Sequence, residues 1–398
     1  MKQASSVMQT YARFNINLVR GSGSEVWDSA GKRYLDFAGG IAVNSLGHAH
    51  PAIVSAIAEQ AATLMHTSNL YHNDLQEKLA ERLVDHFGHG GGSIFFCNSG
   101  AEANEGLYKF ARRTTGRSKI LTATNSFHGR TLGGLSATGQ EKVKKGFYPM
   151  VQGLGHHVPF NDAEAVRKEM ENNEIAAVLI EGVQGEGGLT PATPEYLLEL
   201  RRLCDDHGAL LMVDGVQCGH FRTGTFQSYT RILEEHSDEE FAPDACSMAK
   251  SLGGGFPMGA VWTKDADALP AGSHGTTFGG SHLACAVGNA VLDVIEEEHL
   301  ADNARHVGDW LRDAVSDLAK DFPDIIVGPK GLGLMQGIQC TPEYEPGILV
   351  EALHDIGALT VGAGKDVVRM LPALNISAER EGAEFIDKLR QACVSVRR

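Results

Sequence analysis

Two apolar rhythms alternate along most of the chain. Short runs of small or branched apolar residues have the length and turn boundaries of buried strands: Ser93–Cys97, Lys119–Thr124, Ile175–Glu181, Ala209–Asp214, the stretch leading up to Lys250, and Gly259–Thr263. Between them lie tracts whose apolar residues recur every three or four positions. Pro51–Met65 places Ile53, Ile57 and Leu64 on one face behind a first-turn proline, and Asp74–Phe87 does the same with Leu75, Leu79, Leu83 and Val84. Glu102–Arg113, Asp162–Glu171, Glu195–His207 and the long tract Leu283–Leu318 also read as helices. At least six strands alternating with helices predict a mostly parallel sheet covered on both faces. Val19–Phe37 reads as a β-hairpin, and Ser228–Glu240 as a charged helical insert on a solvated surface.

From Ile325 the pattern changes. Strands are predicted at Ile325–Val327, Gly331–Cys340, Leu359–Gly362 and Val367–Leu371, with helices at Gly347–Ile356 and from Ser377. This predicts a second, smaller α/β domain. The expected division is a large domain over 49–280, with 1–48 and 281–398 together forming the small one.

Composition narrows the function. The 398 residues carry a formal charge of −15, which argues against a nucleic-acid surface. A hydrophobic content of 42% and 47 glycines suit a globular, turn-rich α/β enzyme. Seven scattered cysteines without a C-x-x-C motif indicate neither a disulfide framework nor a zinc site. They suit a reducing compartment. Met1–Arg13 has no apolar core of a signal peptide, and no apolar run is long enough to span a bilayer, so a cytoplasmic protein with no membrane partner is expected. His48 and His50 lack a third ligand at metal spacing and read as structural, so no metal is expected.

Five stretches carry candidate chemistry. Lys250 ends a small apolar run and is followed by Gly253–Gly255. A desolvated lysine has a lowered pKa and can form a Schiff base with an aldehyde. Ser93–Cys97 runs through Asn98-Ser-Gly-Ala101 into a helix start, where free N–H groups can receive an anion. It is no nucleotide P-loop, since G-x-x-x-x-G-K-[ST] is absent. Phe127 and Arg130 flank a glycine, one able to stack on a ring and the other to fork a carboxylate. Asp214 ends a buried strand and needs a cationic or hydrogen-bonded partner. Glu181 and Glu186 stand at another strand's carboxyl end, where α/β sheets hold their sites. A lysine for an aldehyde, a phosphate cup, an aromatic plate and a buried aspartate together fit pyridoxal 5′-phosphate, whose pyridine nitrogen an aspartate keeps protonated.

Six motifs then occur in an order that resembles the class III pyridoxal-phosphate-dependent aminotransferases of fold type I. They are Ser99-Gly-Ala-Glu-Ala-Asn-Glu105, Ser126-Phe-His-Gly-Arg-Thr131, Glu181-x-x-Gln-Gly-Glu186, Asp214-x-Val-Gln217, Ala249-Lys-x-Leu-Gly-Gly-Gly-Phe-Pro-Met-Gly259 and Thr276-Thr-Phe-Gly-Gly280. Phe37-Ala-Gly-Gly-Ile-Ala-Val-Asn44 and Leu46-Gly-His-x-His-Pro51 resemble the acetylornithine/succinylornithine branch. The resemblance implies a large domain with a mostly parallel seven-stranded sheet plus a smaller α/β C-terminal domain.

It also implies roles. Lys250 carries the cofactor and moves the proton, Asp214 pairs with the pyridine nitrogen, and Gln217 lies near the ring hydroxyl. Ser99, Gly100 and Ala101 hold the phosphate, and Phe127 stacks on the ring. Arg130 binds a distal substrate carboxylate, and Arg369 the α-carboxylate of glutamate, with Glu186 neutralising Arg369 when the other substrate is bound. Thr277 reaches the phosphate of the neighbouring subunit, which implies a homodimer with shared active sites. The implied reaction moves the terminal amine of N2-acetylornithine or N2-succinylornithine to 2-oxoglutarate. Ornithine and 4-aminobutyrate enzymes share most of the motifs, the cofactor also supports decarboxylation and racemisation, and a non-catalytic ligand-binding α/β protein is the alternative from another class. Three departures stand out: Gly215 where the family has Glu, Gly219-His-Phe-Arg-Thr-Gly224 for Gly-x-Gly-Arg-Thr-Gly, and a longer Asp214–Lys250 interval owing to Arg231–Glu240.

Overall fold

A computed structural model describes residues 6–149, 154–236, 241–267 and 269–397. Its centre is a seven-stranded sheet in the order Ser93–Cys97, Gly259–Thr263, Ala245–Met248, Leu210–Asp214, Ile175–Glu181, Lys119–Ala123, Gly155–Val158. Gly259–Thr263 runs antiparallel to both neighbours, and the other pairings are parallel. Ile175–Glu181 is buried at all seven positions, as expected of a central strand covered on both faces. The edge strand Gly155–Val158 escaped the sequence reading because Gly-His-His-Val has neither an apolar run nor an alternation.

The connecting helices carry the end signals their sequences offer. Ser99 caps Gly100–Thr115, Thr193 caps Pro194–His207, and Asn73 caps Asp74–Phe87, each accepting a backbone N–H. Gly116, Gly208 and Gly88 end the same helices in the left-handed conformation. His50 caps Pro51–Thr63 through Nδ1, and His48 Nε2 lies 2.7 Å from Asp36 Oδ2, so both histidines have structural partners. All seven cysteines are buried thiols. Among the described residues no helix is long and apolar enough to cross a membrane.

Two four-stranded sheets flank the large one. In the first, Leu18–Ser22, Glu25–Asp28 and Arg33–Asp36 form an antiparallel meander, and Ala358–Leu359 adds to it in parallel. The second contains Ile326–Leu332, Met335–Cys340, Val367–Met370 and Val361–Ala363. Phe37 links them: its N–H donates to Leu359 O (2.9 Å) and its carbonyl accepts from Leu371 N–H (2.6 Å).

Several expected elements divide differently. Gly331–Cys340 is not one strand, because the chain reverses at Gly333–Leu334 and Gly331 already lies on the first arm of the hairpin. Leu359–Gly362 splits at Thr360 between the two small sheets. The tract Leu283–Leu318 is two helices, His282–Glu297 and Leu300–Asp321, broken where His299 takes a left-handed φ of 53°. No glycine or proline marked that break. Within Ser228–Glu240, the helix Ser228–Ile232 is short, and Ser228, Tyr229 and Leu233 are buried rather than solvated. Residues 237–240 of that insert lie outside the described residues.

Gly308, in Leu300–Asp321, lets that helix touch the hairpin turn. A Cβ there would lie 2.5 Å from the Gly333 carbonyl oxygen, and Gln336 Nε2 bonds the carbonyls of both Gly308 and Gly333. Gly308→Ala is therefore expected to destabilise the protein by about 1–3 kcal/mol through overpacking against backbone. Thermal unfolding should show a lower Tm than for wild type.

Candidate active site

Strand register sets the site. Asp214 stands opposite Glu181 on one side and Ser247 on the other, so three polar residues form a row at the carboxyl edge of the sheet. Ligands of open α/β sheets bind outside that edge.

Asp214 is only 3% exposed. Its Oδ2 accepts from Asn104 Nδ2 (2.8 Å) and lies 2.8 Å from His128 Nδ1, and its Oδ1 accepts from Val216 N–H (3.0 Å), with Ser247 Oγ 3.5 Å away. Burial alone would raise the carboxyl's pKa, but the bonds from His128, Asn104 and Val216 outweigh it and hold it below the ordinary range. Ser247 Oγ also donates to Asn104 Oδ1 (2.7 Å), which closes a ring of polar groups around the carboxylate. His128 is fully buried and its Nε2 has no partner.

Sequence reasoning did not single out Asn104, His128 or Ser247. A signal for Asn104 existed: it falls on the helix stripe Asn104, Leu107, Tyr108, Ala111, all buried, where a polar side chain needs a partner. Nothing comparable marked His128, whose burial follows from tertiary packing.

Lys250 follows Ala245–Met248 and Ala249, and it takes a φ of +48°, an uncommon conformation for a residue with a Cβ. The Lys250–Gly253 turn then closes through Gly254, where a Cβ would strike Ile53 and Val291 at 2.8 Å. Burial pushes the Lys250 amine below its ordinary pKa; nearby Asp214 opposes the shift and Arg369 adds to it. The amine is thereby a better nucleophile near neutral pH.

Ser99, Gly100, Ala101, Phe127, Arg130, Glu186, Asp214, Gln217 and Lys250 line one cleft of about 450 Å³. Gly100 and Ala101 open a helix whose first amides have no intrahelical partner. A Cβ at Gly100 would lie 2.6 Å from Val216, so only glycine leaves that cradle open. Ser99 Oγ accepts from Glu102 N–H (3.2 Å) as the helix cap. Arg130 is exposed, with its guanidinium 5.5 Å from the Phe127 ring centre.

Arg369, 2% exposed, stands behind the cleft rather than in its lining. Its Nη1 donates to Glu186 Oε1 (2.5 Å) and Gln217 Oε1 (3.1 Å), and its Nε is unpartnered. Thr277 is not brought into the cleft. It sits on an exposed loop beside Phe278, while its neighbour Thr276 Oγ1 accepts from Asn98 Nδ2 (3.2 Å).

The departures lie away from the cleft. The Gln227 amide occupies the space beside Gly215, where a Cβ would be 2.5 Å from Gln227 Oε1 and 2.9 Å from Ser247 O. Phe221 packs against His86 and Phe226. Arg222 is fully buried, donates to the carbonyls of Leu334 and Pro372, and is driven by burial to a pKa of about 9.

The lining suits pyridoxal 5′-phosphate: an amine below its usual pKa, an ionised buried carboxylate, an open helix start held clear by Gly100, and an aromatic plate share one cavity. The family model for class-III aminotransferases matches residues 6–393. The chain belongs to the class-III aminotransferases. It is 44% identical over 391 residues to the acetylornithine aminotransferase of Bacillus subtilis, covering 98% of this chain and 97% of that one. It is 46% identical over 380 residues to that of Gloeobacter violaceus, covering 94% and 92%. The fold type I architecture is shared with the crystal structure of ornithine aminotransferase from Toxoplasma gondii, at a TM-score of 0.91 and 30% identity over 98% of this chain and 93% of that one. It is shared as well with N-acetylornithine aminotransferase from Stenotrophomonas maltophilia, at 0.81 and 35% over 97% of each. A class-III aminotransferase is a pyridoxal-phosphate enzyme acting on an amino acid and a 2-oxo acid, which sets aside the non-catalytic alternative.

Asp214→Asn is expected to lower transamination by on the order of 10²-fold or more, as removing a preorganised charge does. Asp162→Asn, which only exchanges one good helix cap for another at Ala163–Asn172, is expected to leave turnover within about twofold. Steady-state kinetics of the two variants side by side checks this, and equal losses would show that the Asp214 charge is not used.

Proposed function

We propose that this aminotransferase moves the terminal amino group of N2-acetylornithine, or of N2-succinylornithine, to 2-oxoglutarate, giving the semialdehyde and glutamate within arginine metabolism. The observation that carries the reading is the Arg369–Glu186 pair. Such an enzyme has to accept glutamate, with a carboxylate beside its reacting amine, and also a terminal amine flanked only by methylenes. A buried arginine meets the first need and is costly without an anion for the second. Glu186 neutralises it from a turn whose neighbours Gly185, Gly187 and Gly188 let the loop swing aside. The names of the full-length relatives support the N-acylated substrate. The similarity to ornithine aminotransferase keeps free ornithine as the second reading.

When bound, pyridoxal 5′-phosphate supplies an aldehyde and a ring that accepts electrons. The protein does the rest. Asp214 keeps a negative charge at the floor of the cleft, and Gln217 stands beside it. The helix start at Ser99–Ala101 receives the phosphate, and Phe127 covers one ring face. Lys250 holds the cofactor and moves a proton through Nζ. Arg130 takes the distal carboxylate, and Arg369 the one beside the reacting amine.

Thr277 serves the phosphate site of a second subunit in a homodimer with shared sites. Exposed Phe278, Leu70 and Tyr71 favour this, because Asn69 ties their two loops into one apolar face through the carbonyls of Thr276 and Gly279. The division at 49–280 is supported by the pairing of Arg33–Asp36 with Ala358–Leu359. A cytoplasmic location accords with seven buried thiols.

A panel of N2-acetylornithine, N2-succinylornithine, ornithine and 4-aminobutyrate with 2-oxoglutarate should give the highest kcat/KM for an N-acylated ornithine; ornithine in first place would transfer the reading to the second candidate. Lys250→Ala is expected to lose more than the ~10²–10⁴-fold that general acid–base catalysis supplies alone. Near-normal turnover of that variant would overturn the role of Lys250.

Glu186→Ala separates the two half-reactions. Single-turnover measurements should show glutamate reacting as well as in wild type or better, and acetylornithine more slowly, because Arg369 then lacks its partner. An equal effect on both would exclude the switch.

A further inference from the structure

Glu181 belongs to the row at the sheet edge and has been given no task. It ends a strand that is buried throughout and is itself 6% exposed, directly opposite Asp214. Its two carboxylate oxygens are used separately. Oε1 accepts the N–H of Phe127 (3.0 Å), and Oε2 accepts the N–H of Gly185 (3.0 Å). The first bond fixes the residue that lines the cleft with a ring. The second fixes the residue immediately before Glu186, in a ribbon formed by Val183–Gln184 and Thr190–Pro191. Gly185 packs closely on the Gln217 amide: a Cβ there would lie 2.4 Å from Gln217 Oε1. The far side of the same turn is held by Gly364 N–H on the Glu186 carbonyl (3.0 Å).

We infer that Glu181 is a positioning residue whose carboxylate ties the Phe127 loop to the Glu186 loop, and that gaining a proton releases one of the two loops. The inference rests on the roles proposed above for Phe127 and Glu186. Its chemistry is simple. A carboxylate offers an acceptor on each oxygen, whereas a carboxylic acid keeps one good acceptor and turns the other oxygen into a donor. The N–H facing the protonated oxygen therefore loses its strong, charged acceptor once the proton is on.

The surroundings place that change within reach. The Glu181 pKa is raised to about 7, mainly by burial and also by Asp214, against the downward pull of His128 and the two N–H bonds. Lys250 and Cys218 face the same carboxylate and feel its charge. Above that pH both ties are made, and below it one is lost. The turn beside Glu186 is then looser in acid, so the pairing with Arg369 depends on pH through a residue that touches neither partner's charged group.

The test is amide hydrogen exchange of peptides covering Phe127 and 182–188, at pH 6 and pH 8, corrected for the intrinsic rates, on the cofactor-free protein and on the holoenzyme. Wild type should lose about tenfold or more of its protection at Phe127 or Gly185 at pH 6, the worth of one hydrogen bond to a charged acceptor. Glu181→Gln carries one acceptor and one donor at every pH. It should show the low protection at both, while Ile175–Ile180 stay as in wild type. Its kcat should fall and lack the acid limb near pH 7 that is expected of wild type. Unchanged protection in E181Q, or equal protection of wild type at the two pH values, overturns the inference. Should E181Q fail to fold, the wild-type pair of pH values decides alone. If protection responds as expected while acetylornithine does not react, the substrate reading falls and the tie stands; if acetylornithine reacts and protection does not respond, the tie falls and the substrate reading stands.

Discussion

A bare carboxylate at the end of a buried strand is the constraint on which this active site rests. Asp214 remains ionised only because Asn104, His128, Ser247 and the Val216 amide surround it. These groups come from a helix, a loop, a neighbouring strand and the turn that follows. Meeting one electrostatic demand thus fixes how four elements sit relative to each other. The same demand keeps a negative charge in the cleft proposed to hold the cofactor, and it opposes the downward shift of the Lys250 amine.

Much of this was legible in the sequence, and the parts that were not share a cause. The central strands showed themselves because burial on both faces requires continuous apolar runs, as in Ile175–Glu181. Lys250, Asp214 and the Ser99–Ala101 turn stood out because each is a polar or small residue at the end of such a run. The edge strand Gly155–Val158 has polar residues where a central strand has none, and the break at His299 is set by tertiary packing with no turn residue to announce it. Asn104 and His128 were inside recognised motifs, yet their task is to serve Asp214. Such second-layer partners are visible only once the chain has brought distant segments together.

The departures from the family pattern have a physical account as well. Gly215 lacks a side chain, and the Gln227 amide fills its place against Gly219 and the Ser247 backbone. Phe221, where the pattern has Gly, packs against His86 and Phe226, and the retained Arg222 beside it donates to the carbonyls of Leu334 and Pro372. Both changes alter packing around the loop after Asp214 and leave the motif residues Asp214, Gln217 and Lys250 in the cleft.

The link through Phe37 has a consequence for how the protein is made. Arg33–Asp36 receives its parallel partner, Ala358–Leu359, only after more than three hundred further residues have left the ribosome. At the ~5–20 residues per second of synthesis that is a wait of roughly a quarter of a minute to a minute. Throughout it the Arg33–Asp36 edge of the meander stays unpaired. The carbonyl of Phe37 meanwhile waits for Leu371, two residues past Arg369. The nascent chain can assemble its seven-stranded sheet early, but the Arg369-bearing segment is anchored only once Leu371 has reached Phe37.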